Sequence, residues 1–213
     1  MVEKPQQKGE LILIFPTSLL VIKYKEDFKK EFKFIRKLAY DPQQVTGVFR
    51  SKDTYLMKRP ELAKLKQFFQ VALDTYCNQI LGTKSKLDIT QAWVQRNTKR
   101  SFTHDHVHPN SIISGVFYLR NEEQAGISLS KDTVSRIALQ KYTNTRLNSE
   151  SFMLYPKTGD LVLFPSNVRH SVPVNVKEES RYSLAFNTFC FGELGSIGGS
   201  THLIINKEND GKS

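Results

Sequence analysis

The sequence predicts an α+β fold, mainly β: an antiparallel sandwich or barrel of short strands braced by N-terminal helices. Hydrophobic period is the first observation behind it. Up to Gly82 apolar residues recur at threes and fours, whereas from Asp88 onward short runs of Val, Ile, Phe, Tyr and Thr take over. Punctuation is the second, because Gly, Pro, Asn and Ser break those runs roughly every eight to twelve residues. Helices followed by strands, rather than alternating with them, give α+β. Nothing repeats at a fixed period and no Pro/Gly/Ser-rich linker parts the two textures, so residues 1–213 read as one domain. Its helical bracing part is expected at about 23–82 and its rolled core at about 88–206.

Phe28, Phe32, Ile35 and Ala39 keep helical spacing over a short stretch, which predicts a helix near 26–39. Between Pro60 and Gly82 the positions Leu62, Leu65, Phe69, Ala72, Leu73, Tyr76 and Ile80 predict a longer one. Proline suits the first helical turn and glycine the position just past the last. Strands are expected near 88–97, 101–107, 112–119, 126–130, 133–140, 152–155, 160–165, 168–174, 181–191 and 201–206.

Hydrophobic residues make up 39% of the 213, with 14 Phe and 8 Tyr, enough apolar surface to build a core and to exclude a disordered chain. The longest apolar run, Leu11 to Phe15, is too short for a membrane span or an export signal. Two cysteines, Cys77 and Cys190, with no Cys-x-x-Cys, give neither a disulfide framework nor a thiolate zinc site. A cytoplasmic location is the expectation. Lys and Arg number 31 against 21 Asp and Glu, a formal charge of +10, which brings nucleic acid into consideration as a partner. Lys99 and Arg100, near Trp93 and Phe102, suit phosphate contacts and base stacking; they suit equally edge-strand charges and core aromatics. Trp93 is expected in the core.

Four of the five histidines fall in two places: His104, His106 and His108 in Thr-His-Asp-His-Val-His-Pro, and His170 after Phe-Pro-Ser-Asn-Val-Arg. Residues two apart on a strand face the same way, so a His-x-His pair presents two imidazoles to one ion. A roll of two sheets can bring His170 beside them. Three ligands on one side of an ion, with positions left open, describe a non-haem iron site, and imidazole suits zinc as well. Downstream, in Arg181-Tyr-Ser183-Leu-Ala-Phe-Asn187, Arg181 and Ser183 project to one face, opposite Tyr182, Leu184 and Phe186. A guanidinium beside a hydroxyl makes a carboxylate clamp; the plainer alternative is a surface ion pair of Arg181 with Glu178 or Glu179.

In order, the chain offers His-x-His-Pro, Ser114-Gly-Val-Phe-Tyr118, Gly159-Asp-Leu-Val-Leu-Phe-Pro165, His170 and Arg181-x-Ser183. This resembles the 2-oxoglutarate and Fe(II)-dependent oxygenase superfamily, in the branch patterned His-x-His-Pro, Ser-Gly-x-x-Tyr, Phe-Pro then His, and Arg-x-Ser-x-x-Phe-Asn. The matching region runs from about Trp93 to Asn187. Leu11 to Thr17 also looks like the family's opening strand, and Gly192 to Gly195 like its closing turn. The resemblance implies a double-stranded β-helix of the jelly-roll, cupin-like kind with Fe(II) at its open end and 2-oxoglutarate inside. It implies His170 as the distal ligand, and Arg181 as the partner of the distant carboxylate of 2-oxoglutarate, assisted by Ser183 and Tyr118. The implied activity couples decarboxylation of 2-oxoglutarate to succinate, using dioxygen, with hydroxylation or demethylation of a substrate that is a small molecule, a protein or a nucleic acid. No catalytic residue beyond the metal ligands is expected.

Many superfamily members carry His-x-Asp or His-x-Glu where this chain has only histidines. Pro109 favours His106, His108 and His170 as the ligand set, with His104 the alternative first ligand and Asp105 facing the other side of a regular strand. Exchanging a carboxylate for imidazole leaves the site one positive charge richer. Two other readings stand beside the dioxygenase: a cupin-like metal-binding sensor or structural protein without oxygenase activity, and a basic nucleic-acid-binding protein. Asn97 and Asn187 have candidate contacts with cofactor or substrate, set against the commonness of Asn at strand ends.

Overall fold

Alternation along three strands decides the architecture. In Ile113–Arg120 (β6), Asp160–Pro165 (β9) and Arg181–Cys190 (β11), successive side chains divide between two cores. Phe117, Leu119, Leu161, Leu163, Tyr182, Leu184 and Phe186 join a large cluster with the helices. Tyr118, Val162 and Phe164 join a smaller one with Ile127 and Leu129. The sheet that these strands share is therefore covered on both faces, by helices outside and by a second sheet inside. The computed structural model of the chain describes residues 10, 12–121, 125–131 and 140–207.

In chain order the elements are β1 (Leu20–Lys23), α1 (Lys29–Ile35), β2 (Tyr40–Pro42), β3 (Val48–Ser51), α2 (Ala63–Gln79), β4 (Leu87–Asn97), β5 (Thr103–His106), β6, β7 (Ile127–Ser130), β8 (Ser151–Leu154), β9, β10 (Arg169–Val172), β11, β12 (Gly192–Leu194) and β13 (Leu203–Ile205). A seven-stranded antiparallel sheet has the order β1-β9-β6-β11-β4-β3-β2, and a four-stranded one the order β5-β10-β7-β8; β12 and β13 form a separate ribbon. From β4 to β11 the chain passes back and forth between the two sheets, which is a double-stranded β-helix. No helix among the described residues is long and apolar enough to cross a membrane.

Helix α2 braces the large sheet through Leu65, Phe69, Ala72, Leu73 and Tyr76, all buried. The Phe69 and Phe186 rings stack at 5.0 Å. Room for that stack comes from Gly115, where a Cβ would lie 2.1 Å from the Phe186 ring. The glycine of Ser-Gly-x-x-Tyr is thus a packing requirement.

Several expectations are corrected. The helix expected over 60–82 begins as a 3₁₀ turn at Pro60–Leu62 and runs as α-helix only over Ala63–Gln79, with Gly82 at φ +64° just beyond. The helix expected near 26–39 is cut to Lys29–Ile35, because the Tyr40 hydroxyl donates to the Ile35 carbonyl and the chain enters β2. Residues 12–17 form no strand, and Phe15 sits at φ +54° with its ring in solvent. The opening strand is Leu20–Lys23, paired with β9. The stretch read as a closing turn, Gly192 to Gly195, contains β12, paired with β13. Strands β2 and β3, inside the part read as helical, gave no alternation long enough to see. The strand expected near 133–140 lies, except for its last residue, outside the described residues.

Candidate metal centre

Strands β5 and β10 are neighbours in the small sheet, with His106 and His170 directly opposite each other. Adjacent antiparallel partners stand about 5 Å apart, which is the spacing one ion can bridge. His108 lies just past the end of β5, where its backbone N–H donates to the Ser166 carbonyl at 3.0 Å. A hydroxyl chain fixes that turn. Ser166 Oγ donates to Ser111 Oγ at 2.8 Å and lies 2.8 Å from Ser114 Oγ, while the Thr188 N–H donates to Ser111 Oγ at 3.1 Å. The turn carrying His170 and the loop carrying His108 are both tied to β6 and β11.

The ligand atoms of His106, His108 and His170 all lie within 4.8 Å of one another. His104 stays outside the group. Two steps on β10, from His170 to Val172, match three on β5, from His106 to Thr103. That extra residue reverses the alternation. Thr103 then shares the inner face, its Oγ1 buried, and His104 is exposed, edge-on to Phe102 at 5.0 Å. Asp105 is exposed too, paired with Arg169 at 3.4 Å. Among the described residues no carboxylate belongs to the cluster.

Each imidazole of the three has its Nδ1 on an oxygen: His106 on the His104 carbonyl at 2.7 Å, His170 on the Val168 carbonyl at 3.0 Å, and His108 on Asn187 Oδ1 at 2.6 Å. Carbonyl oxygens only accept, so every Nδ1 carries the proton and every Nε2 keeps its lone pair. Nε2 of His106 and of His108 are 3.3 Å apart. Only a proton or a metal cation between them makes that contact favourable. Burial pushes the His170 pKa down to about 3, against the Val168 hydrogen bond, and His106 and His108 push it further. Burial also lowers that of His108, against the Asn187 hydrogen bond. Neutral imidazoles with convergent lone pairs are the form that binds a divalent first-row metal.

Deeper in the roll, Arg181, Ser183 and Asn187 share the inner face of β11. Arg181 is buried, and among the described residues no carboxylate pairs with it. Its Nη1 donates to the Gly126 carbonyl at 3.4 Å and its Nη2 to Asn97 Oδ1 at 3.5 Å; Nε has no partner. The surface ion pair considered for Arg181 is absent, and Glu178 pairs with Lys99 instead. Desolvation lowers the Arg181 pKa, opposed by Tyr118. Ser183 and Tyr118 are cross-strand partners, both buried, and burial pushes the Tyr118 phenol up to about 12. A guanidinium, which only donates, beside a hydroxyl and a protonated phenol that can each donate, makes a set suited to an anion.

Residues 91–187 match the model of the family described as "Putative 2OG-Fe(II) oxygenase". Over these residues, somewhat under half of the chain, the sequence is similar to that family. No curated relative matches by sequence. Solved structures extend the likeness of fold. HygX from Streptomyces hygroscopicus, with nickel, 2-oxoglutarate and hygromycin B bound, is 15% identical, covers 81% of this chain and 82% of its own, and has a TM-score of 0.59. A prolyl-4-hydroxylase from Pseudomonas putida is 13% identical over 80% of this chain and 92% of its own, at 0.56. The α-ketoglutarate-dependent epimerase SnoN of nogalamycin biosynthesis is 11% identical over 81% and 78%, at 0.61.

Two features of the candidate site stood outside the expected set. Asn187 holds His108, and it lies at even spacing from Arg181 and Ser183, so the pleat already put it on their face. Trp93, expected in the core, is half-buried with its ring 5.7 Å from that of His108. It is on the inner face of β4, where the odd-numbered residues from Gln91 to Asn97 look into the roll, the bulge at Thr90 having reversed the alternation of Leu87 and Ile89.

Proposed function

We propose that the chain is a non-haem Fe(II)- and 2-oxoglutarate-dependent dioxygenase that converts 2-oxoglutarate to succinate while hydroxylating or demethylating a substrate. Arg181, buried and with no acid partner among the described residues, in the same roll as three convergent Nε2 lone pairs, carries the reading. A metal-only sensor has no use for an uncompensated guanidinium there, and a nucleic-acid-binding surface needs neither feature.

His106, His108 and His170 would hold the iron, and Arg181, Ser183 and Tyr118 the far carboxylate of 2-oxoglutarate. Bound iron supplies redox activation of dioxygen and Lewis acidity toward the keto acid. The protein's own residues do the rest. The three Nδ1 acceptors lock each ring in the tautomer that leaves Nε2 free. Arg181 orients the acid and fixes how far it reaches toward the histidines. Phe164, edge-on to His170 at 4.9 Å, and Val162 keep the inner wall dry, which strengthens every charge contact inside.

Anaerobic titration with Fe(II) and then 2-oxoglutarate tests the reading. A weak visible metal-to-ligand charge-transfer band is expected, lost in His170→Ala and Arg181→Ala. Metal uptake without any band would leave the sensor reading standing in its place.

A further inference from the structure

The pocket around Arg181 contains a donor to which the activity gives no part. Asn97 ends β4, fully buried, as the direct cross-strand partner of Arg181. A guanidinium only donates, so the Asn97 atom 3.5 Å from Nη2 is the carbonyl oxygen Oδ1. Nδ2 consequently points elsewhere, buried and without a hydrogen-bond partner. Arg181 Nε is in the same condition, and so is Thr103 Oγ1 on the opposite sheet. Buried polar atoms in folded proteins are nearly always paired. Asn97 and Arg181 are paired neighbours, and with no acid among the described residues bonded to either, their free donors are short of one acceptor-rich ligand.

We propose that Asn97 donates from Nδ2 to the far carboxylate of bound 2-oxoglutarate, beside Arg181, and so selects a keto diacid over a keto monoacid. The inference rests on the dioxygenase reading. It adds a binding residue on β4, the strand opposite the Arg-x-Ser motif. A hydrogen bond from a neutral amide to a buried carboxylate is worth about a factor of ten to a hundred in affinity.

The test compares two acids on the anaerobic Fe(II)-loaded protein. They are 2-oxoglutarate and 2-oxopentanoate, which has the same carbon chain without the far carboxylate. Asn97→Ala is expected to raise the dissociation constant of 2-oxoglutarate by about ten- to a hundredfold while leaving those of 2-oxopentanoate and Fe(II) in place. Asn97→Asp keeps the volume and keeps Arg181 anchored, but removes the donor; it is expected to lose at least as much. This second variant also stands if Asn97→Ala fails to fold. Unchanged 2-oxoglutarate affinity in either variant, or equal loss for both acids, overturns the proposal. A wild-type protein that gives no band with 2-oxoglutarate overturns the dioxygenase reading and this inference together. A wild-type band indifferent to Asn97 removes this inference alone.

Discussion

Replacing Asn187 by Ala removes the acceptor 2.6 Å from His108 Nδ1 and nothing else that His108 touches through its ring nitrogens, apart from its Nε2 contact with His106. An imidazole N–H left unpaired inside a protein costs about 1–3 kcal/mol. Asn187 is itself only half-buried, so water replaces part of the bond and the low end applies. The ring also loses the constraint that holds Nε2 toward its two partners. Divalent metal affinity should therefore fall about tenfold, in line with the usual cost of losing the group behind a ligating histidine. The protein carries its own reporter, since Trp93 is the single Trp of the sequence and stands 5.7 Å from the His108 ring. Ni(II) titration of the metal-free protein, followed by quenching of that fluorescence, reads the constant without 2-oxoglutarate or turnover. Asn187→Asp retains an acceptor and should bind Ni(II) at least as tightly as the wild type. Asn187→Ala within twofold of wild type, or equal losses in both variants, would refute the positioning role.

Arg181→Met removes a buried charge that has no acid partner among the described residues, so it should leave the ligand-free protein as stable as before or raise its Tm by about 2–4 °C, while abolishing 2-oxoglutarate binding; a drop in Tm with binding intact would contradict it. Gly115→Ala drives a methyl into the Phe186 ring and should cost about 1–3 kcal/mol in a urea melt, because ring and helix must both shift. The metal-free protein should weaken in acid through His170, whose pKa is about 3 when folded against an ordinary 6.5. Between those values the unfolded chain binds more protons, so this contribution is complete above about pH 6.5 and is lost as pH falls, by about 2 kcal/mol at pH 5. Urea melts at pH 7 and pH 5 should show that loss, and His170→Phe should flatten it.

The roll was legible because its strands alternate and its turns carry their own signals, so most boundaries from 88 to 191 fall within two or three residues. Short paired strands such as Tyr40–Pro42 and Val48–Ser51 were not, since three or four residues hold too little period to distinguish from a loop. The same limit misplaced the opening strand onto Leu11 to Thr17, a run more apolar than the real one and wholly exposed over its described part. The candidate site was set out in the sequence as residue types, with Pro109 favouring His106, His108 and His170 and His104 kept as the alternative. What sets His104 apart is one extra residue in β5 against β10, and a bulge has no signature in Thr-His-Asp-His. Asn187 and Asn97 went unassigned for a related reason, because an asparagine at a strand end has many uses and only its partner shows which one applies.

The all-imidazole cluster changes the charge balance of the pocket in a way that Arg181 compounds. With no carboxylate among the three histidines, a bound divalent ion keeps its full charge, and on the deeper side a buried guanidinium keeps its own. Two uncompensated positive centres in one low-dielectric roll repel each other, and each would be costly to maintain alone. A dianion with its charges at its two ends relieves both at once. Metal and diacid binding should therefore be positively coupled: 2-oxoglutarate should tighten Ni(II) binding, and the gain should largely vanish in Arg181→Met, where one of the two centres is gone. By reciprocity the metal must tighten 2-oxoglutarate by the same factor. Equal Ni(II) affinity with and without saturating 2-oxoglutarate would show that the acid does not span the two centres.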